Sequence, residues 1–371
     1  MKATKGSDSP RHAPTLDALR ERINAIDATL LALISERAAL AQQVAEAKLA
    51  VDPQAIFYRP EREAEVMRRI MALNQGPLPD EEMARLFREI MSSCLALEQP
   101  VKAAYLGPEG TFSQQAMLKQ FGGAVAGVPV ASIPEVFRQV ESGAAAYGIV
   151  PIENSTEGAI NSTFDALITS SVRICGEVFL PIHNNLIGRA NALDQPVVRI
   201  YSHPQPLAQC RGWLAANYPN AELIAVASNA EAAKRAAHEE GAVAIAGAQV
   251  TQYFDVEVLV SNIEDLSSNV THFLVIGHES VGPSGDDRSL LLATMHNQAG
   301  ALERLLAPLS RHAIDITHLE TRPSRVQPWQ YVFFIEVKGH CKEGPLADAL
   351  RELAGSTIDI RVLGSWPSAV I

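Results

Sequence analysis

The 371-residue chain is expected to fold as a multidomain protein of three consecutive classes: an all-α segment, an α/β domain, and a small α+β domain of ferredoxin-like order. Three observations predict this. The hydrophobic rhythm is helical from Leu16 to about Leu97. Short β-rich runs then alternate with helical stretches from Val101 to about Glu279, as at 103–106, 145–150, 197–201 and 242–246, which predicts a largely parallel sheet. After a Gly/Pro/Asp-rich linker at 280–287, strand (289–296), helix (300–312), strand (314–320), strand (329–337), helix (346–354) and strand (360–363) follow in βαββαβ order. The expected boundaries are 12–99, 101–280 and 288–366, with Glu98-Gln99-Pro100 between the first two.

Composition removes several function classes. The formal net charge is −11, so no nucleic-acid partner is expected. No apolar run approaches a membrane span, and the N-terminus lacks the apolar core of a signal peptide. Cys94, Cys175, Cys210 and Cys341 are widely spaced, with no CxxC pair. They read as reduced thiols of a cytosolic protein, with no clustered metal site and no disulfide scaffold.

In the helical segment, Leu16, Leu19, Ile23, Ile26, Leu30, Leu33, position 37, Leu40, Val44 and Ala47 step by 3 and 4. This is a seam sustained over more than four heptads. A helix over 16–50 would be about 52 Å long. So short a segment cannot bury it alone, which implies a partner helix, most simply from a second chain. Position 37 on the seam is Arg37. By itself it can be a carboxylate-paired or snorkelling arginine. Lys48, 11 residues on, points within roughly 20° of it. The two cations can close on an anion the size of a small dicarboxylate. Arg20 lies about 25 Å from Arg37 along the same helix, so it can reach that ligand only from an antiparallel partner.

Leu19-Arg20, Glu36-Arg37, Ala47-Lys48, PERE at 60–63 and the 92–99 end of the last helix resemble the all-helical chorismate mutases. The resemblance implies an intertwined helical dimer in which Arg20 of the partner, Arg37, Lys48, Arg62, Glu63 and Glu98 line the site. The chemistry suits these residues. Chorismate is a dianion that rearranges without a nucleophile, so the protein needs only to clamp both carboxylates and stabilise charge on the breaking ether oxygen. Lys48 can donate to that oxygen. Glu98 stands where many relatives have Gln, and it can donate only when protonated. Arg59 stands where Asp is common and receives no role. Cys94 replaces a common Ser.

The middle domain carries polar loops at strand ends: LGPEGTFS at 106–113, VPIENSTEG at 150–158, YSHPQPLAQC at 201–210 and NVTHF at 269–273. Each by itself reads as turn or capping chemistry, and no nucleotide-binding glycine pattern is present. Their recurrence, with SNAEAA at 228–233, resembles prephenate dehydratase over 101–280. The resemblance implies two α/β lobes with a cleft between them lined by Thr111, Ser113, Asn154, Ser155, Ser202, Gln209 and Thr271. Thr271 is expected to assist departure of the ring hydroxyl. Aromatisation drives this decarboxylation, so no cofactor is expected. Arg usually follows the threonine in that family, and here His272 does. Tyr253-Phe254-Asp255-Val256 also differs from the usual Leu-Tyr-Gly-Leu.

NQAGAL at 297–302 and ETRP at 320–323, in their βαββαβ setting, resemble an ACT domain. The resemblance implies phenylalanine binding at a dimer interface near Asn297, Gly300, Ala301, Leu302, Glu320, Thr321, Arg322 and Pro323. Ala299 replaces a usual proline. The whole reads as a bifunctional chorismate mutase and prephenate dehydratase of phenylalanine synthesis, inhibited by its end product and at least dimeric. Two other readings are an enzyme with one lost activity, because of His272, and a non-catalytic amino-acid sensor.

Overall fold

The computed structural model describes residues 15–53, 55–296, 298–323, 330–354 and 359–370. Its contacts divide it into two compact units, one ending at Phe57 and one beginning at Tyr58.

The first unit is dominated by α1 (Leu16–Val51), capped where the Thr15 hydroxyl accepts from the Ala18 amide at 3.3 Å. The expected seam is there, and it is bare. Leu16, Leu19, Ile23, Ile26, Leu30, Leu33, Leu40 and Val44 are all exposed. Burying one such side chain is worth about 1.5–3 kcal/mol, so the helix carries a large unspent driving force for association.

The second unit opens with α2 (Pro60–Leu73) and α3 (Asp80–Glu98). Pro60 starts α2 and three carboxylates fill the first turn of α3, both suited to helix N-termini. These helices share the seam helix's all-α segment in sequence but belong to the α/β unit in space. The Arg88 guanidinium donates to the Lys119 carbonyl (2.8 Å), and Gln120 donates to the Tyr58 hydroxyl (2.8 Å).

The first lobe contains β1 (Lys102–Leu106), α4 (Phe112–Phe121), β2 (Ala126–Val130), α5 (Ile133–Glu141), β3 (Tyr147–Asn154), β4 (Gly158–Ala159), α6 (Asn161–Thr169) and β5 (Arg173–Pro181). The chain leaves it at residues 182–184 to build the second lobe. That lobe comprises β6 (Asn185–Gly188), β7 (Arg199–Ser202), α7 (Pro204–Gln209), α8 (Arg211–Asn217), β8 (Glu222–Ala225), α9 (Asn229–His238), β9 (Ala242–Ala246) and β10 (Glu257–Val260). Then β11 (Val270–Gly277) returns to the first lobe. It enters between β3 and β5, antiparallel to both. The expected largely parallel sheet is therefore mixed. The pairs β1–β2, β1–β3, β7–β8 and β7–β9 are parallel, while β6–β9 and β6–β10 are antiparallel. The cause is topological: a strand returning from the other lobe arrives head-on to the strands it joins.

The last part is β12 (Asp287–His296), α10 (Ala301–Arg311), β13 (Ile316–Pro323), β14 (Gln330–Lys338), α11 (Gly344–Ala354) and β15 (Asp359–Pro367), the expected βαββαβ. Position 329 lies outside the described residues. Its sheet, ordered β13-β14-β12-β15, is continuous with the first lobe because β15 pairs β5 at Gly364 and Ile174. A Cβ at Gly364 would sit 2.1 Å from the Ile174 carbonyl oxygen, so only glycine allows this approach. The core is shared too. Phe164 of α6 meets Phe334 of β14 edge-on at 4.8 Å, and Leu290, Leu292 and Trp366 join the first lobe's cluster. The 280–287 linker is likewise tied down: Arg68 of α2 donates to the Ser284 and Asp286 carbonyls, and Asp287 accepts from Ser284.

Candidate functional sites

On α1, Arg37 and Lys48 lie on one half-buried stripe with Ala38, Ala41 and buried Ala45. The 11-residue spacing thus leaves both cations on one continuous helix with the same partial burial. The Lys48 ammonium is 3.4 Å from the Ile56 carbonyl and 5.4 Å from the centre of the Phe57 ring. Arg20 is exposed, 3.8 Å from Asp17. In the second unit, Arg62 is exposed and pairs Glu65 (2.6 Å). Glu63, one position on, points inward to Arg88 at 3.1 Å. Burial pushes its pKa up, against the pull of Arg88. Glu63 is thus engaged at the packing of α2 and α3 on the first lobe, a placement that helix periodicity by itself did not foretell. Glu98 is half-buried at the last position of α3.

Between the two lobes lies a cleft of about 310 Å³. Thr111, Ser113, Asn154, Gln209 and Thr271 all line it, as expected. The N-termini of α4 and α9 open onto it, one from each lobe. Thr111 caps α4, and Ser228 caps α9 by accepting from Glu231 (3.1 Å). Among the described lining residues there is no Lys, Arg, Asp or Glu. Ser155 and Ser202 do not line the cleft. The Ser155 hydroxyl accepts from the Val270 amide (3.0 Å) and donates to the Ser268 carbonyl (3.2 Å). Ser202 is fully buried, donating to the Ile245 carbonyl at 2.8 Å, and its hydroxyl is 3.3 Å from Asn229 Oδ1. Both hydroxyls are thus hydrogen-bonded to residues next to the cleft. His203, Gln205, Ser228 and Asn229 also line it, beyond the residues the resemblance implies, and all lie within the motifs at 201–210 and 228–233.

An amide network runs along one wall. Asn154 Nδ2 donates to Thr271 Oγ1 (2.9 Å) and to Asn269 Oδ1 (2.8 Å). Asn269 and Asn184 each donate to Gln209 Oε1 at 3.1 Å. Asn154 Oδ1 accepts from Thr156, fixing its amide orientation. Asn184 and Asn269 stand on the two crossings between the lobes, so the network ties the hinge to Thr271. The crossings are also joined where the Asn184 amide and the His183 ring meet Glu264, each at 2.9 Å. Cys210, beside Gln209, is fully buried with its thiol pushed up to about 12, so it supplies no thiolate. His272 faces away from the cleft. Its Nε2 is 3.1 Å from Glu177, and its ring stacks on Phe179 at 4.3 Å.

In the C-terminal domain a pocket of about 180 Å³ is lined by Gly300, Ala301 and Leu302 as expected, and by Met295, Gln298, Glu303, Tyr331 and Phe333, which were not. Tyr331 and Phe333 are two apart on β14 and so share a face, the one signal available for them. Gly300 has φ +75° at the N-terminus of α10, a left-handed conformation that favours glycine. Glu320, Thr321, Arg322 and Pro323 end β13 outside this pocket. Arg322 is engaged elsewhere, pairing Asp165 (3.0 Å) and Asn161 of α6. Asn297 lies outside the described residues.

Three family models match the chain: chorismate mutase type II over 19–99, prephenate dehydratase over 103–281 and the ACT domain over 289–355. A bifunctional chorismate mutase/prephenate dehydratase of Stutzerimonas stutzeri is 52% identical, over 97% of this chain and 99% of its own. The enzyme of the same name from Pseudomonas aeruginosa is 52% identical, over 96% and 98%. Among solved structures, a prephenate dehydratase from Arthrobacter aurescens in complex with L-Phe matches with a TM-score of 0.66 and 29% identity, covering 72% of this chain and 90% of that one. With its helical mutase-like segment, its cleft between α/β lobes and its ACT-like domain, the chain belongs to the family of bifunctional chorismate mutase/prephenate dehydratases.

Proposed function

We propose that the two activities of this family are carried out here by Arg37 and Lys48 with a partner's Arg20, and by Thr271 in the interlobe cleft. Rearrangement of chorismate to prephenate needs a clamp for two carboxylates and a donor to the ether oxygen. Arg37 and Lys48, half-buried on one stripe, supply the clamp, with Lys48 as donor to the ether oxygen. The exposed seam of α1 is covered by α1 of a second copy lying antiparallel, which brings Arg20 within reach; the protein is then a homodimer or a larger assembly of such pairs. Arg62 and Glu98 are the further residues that the family resemblance assigns to this reaction.

In the second reaction the bond from the ring to its carboxylate breaks, its electron pair enters the ring, and the ring hydroxyl leaves with a proton, giving phenylpyruvate, carbon dioxide and water. The observation that carries the Thr271 assignment is its hydrogen bond from Asn154. Because its oxygen accepts from an amide, its own hydrogen is free to serve the departing hydroxyl. The dianionic substrate is held in a cleft whose described lining has no Lys, Arg, Asp or Glu, its carboxylates favoured by the α4 and α9 N-termini. L-Phenylalanine occupies the pocket at Gly300–Leu302, its carboxylate at the start of α10, and lowers dehydratase turnover by favouring one state of the assembly.

Of the four cysteines, three are buried, and all are free thiols, in keeping with a reducing cytosol. No described helix is long and apolar enough to cross a membrane. Assay of purified protein with chorismate and with prephenate tests the whole reading. Turnover of only one substrate supports the single-activity alternative, and turnover of neither supports the sensor.

A further inference from the structure

Thr271 and His272 are neighbours on β11, so their side chains point to opposite faces. Thr271 reaches the cleft, and His272 reaches a buried run of charge. His272 Nε2 is 3.1 Å from Glu177 Oε2 on β5. Glu177 Oε1 accepts from the Ala369 amide (2.9 Å) and lies 3.4 Å from Arg288 Nε on β12. Arg288 donates to Glu336 on β14 (2.6 Å), which also accepts from Thr317 on β13 (2.6 Å). The Phe179 ring stacks on the imidazole and lies 5.7 Å from the guanidinium. Glu177 is fully buried and Glu336 nearly so. The run therefore starts one residue from the catalytic strand position and crosses the domain junction to three strands of the C-terminal sheet.

Two buried carboxylates, Glu177 and Glu336, share the Arg288 guanidinium, and the His272 ring nitrogen gives Glu177 a further hydrogen-bond partner. On the β3 side the ladder shifts register between His272 and Phe273, while on the β5 side pairing is continuous from Val270 to Val275. The placement of Thr271 against β3 therefore leans on what holds β11 to β5, and the His272–Glu177 contact is part of that.

We propose that His272, Glu177 and Arg288 form a buried charge chain through which the C-terminal sheet holds β11, and with it the Thr271 hydroxyl, in its catalytic placement. His272 and Arg288 are positioning residues for the dehydratase reaction. The chain is also the route by which the state of the C-terminal domain reaches the cleft. It rests on Thr271 being the donor.

The test is a double-mutant cycle on the full-length protein, reading both activities with and without phenylalanine. His272→Gln and Arg288→Met are each expected to lower dehydratase kcat about tenfold with KM within about twofold, and the double variant to be no worse than the poorer single. Mutase turnover stays unchanged, and Arg288→Met blunts inhibition by phenylalanine. His272→Arg, which keeps a donor opposite Glu177, recovers kcat. Lys338→Met, breaking an exposed pair with Asp315 (2.8 Å) on the same sheet, leaves kcat unchanged. The proposal is overturned if Arg288→Met leaves dehydratase kcat within about twofold of wild type, or if the two single losses multiply in the double variant. Should Arg288→Met not fold, Arg288→Gln is read against the same outcomes. Thr271→Val in the same series separates the two failures: if it keeps its turnover, the donor assignment falls, and if it is inactive while Arg288→Met is silent, only the chain falls.

Discussion

Asn154 and Thr271 stand directly opposite each other on the antiparallel strands β3 and β11, with Asn154 Nδ2 2.9 Å from Thr271 Oγ1. Both are more than nine-tenths buried, and they come from sequence positions 117 residues apart. The amide's own oxygen is held by Thr156, so its NH₂ group must face the threonine.

Removing the donor should therefore cost more than removing its support. Thr271→Val is expected to lower dehydratase kcat by about 10²–10⁴-fold, the usual worth of a positioned proton donor. Asn154→Ala should lose less. Mutase turnover of both variants should match wild type, and a Thr271→Val enzyme with near-normal dehydratase kcat would show that the proton comes from elsewhere.

On α1, Lys48→Ala and Arg37→Ala should each abolish most mutase activity, by about 10²-fold or more, with the dehydratase reaction spared.

Leu302 lines the C-terminal pocket beside the start of α10. Leu302→Arg places a long cation in a pocket of about 180 Å³ and should weaken phenylalanine binding, measured by calorimetry, and with it inhibition, sparing mutase turnover. Undiminished inhibition would place the effector elsewhere.

Burial pushes the Glu177 carboxyl up, but the hydrogen bond and charge of His272 together with Arg288 more than offset this and hold its pKa below the usual carboxylate value. A group depressed on folding contributes stability that is fully present above its unfolded value, about 4.3, and is lost as pH falls through the folded one. Urea midpoints measured from neutral pH into the acid range should fall less steeply for Glu177→Gln than for wild type. Parallel curves would mean that Glu177 titrates alike in both states.

Much of this protein was legible in its residues because the signals are local. The 3-and-4 spacing along α1 set a long helix with a bare seam, and 11 residues between Arg37 and Lys48 set them on one stripe, since helical geometry is fixed by the backbone. Polar loops at the ends of β1, β3 and β7 and at the head of β11 marked the cleft, because strand ends are where an α/β sheet presents side chains. The βαββαβ order likewise follows from short-range period alone. What only the tertiary structure decided depends on contacts across long sequence separations. The insertion of β11 between β3 and β5 made the sheet mixed and set Thr271 against Asn154. Gly364 meeting Ile174 fused the C-terminal sheet to the first lobe. Glu63 turned to Arg88, and His272 turned from the cleft to Glu177. A charged side chain's partner is chosen by whichever opposite charge burial brings near, and periodicity carries no information about that.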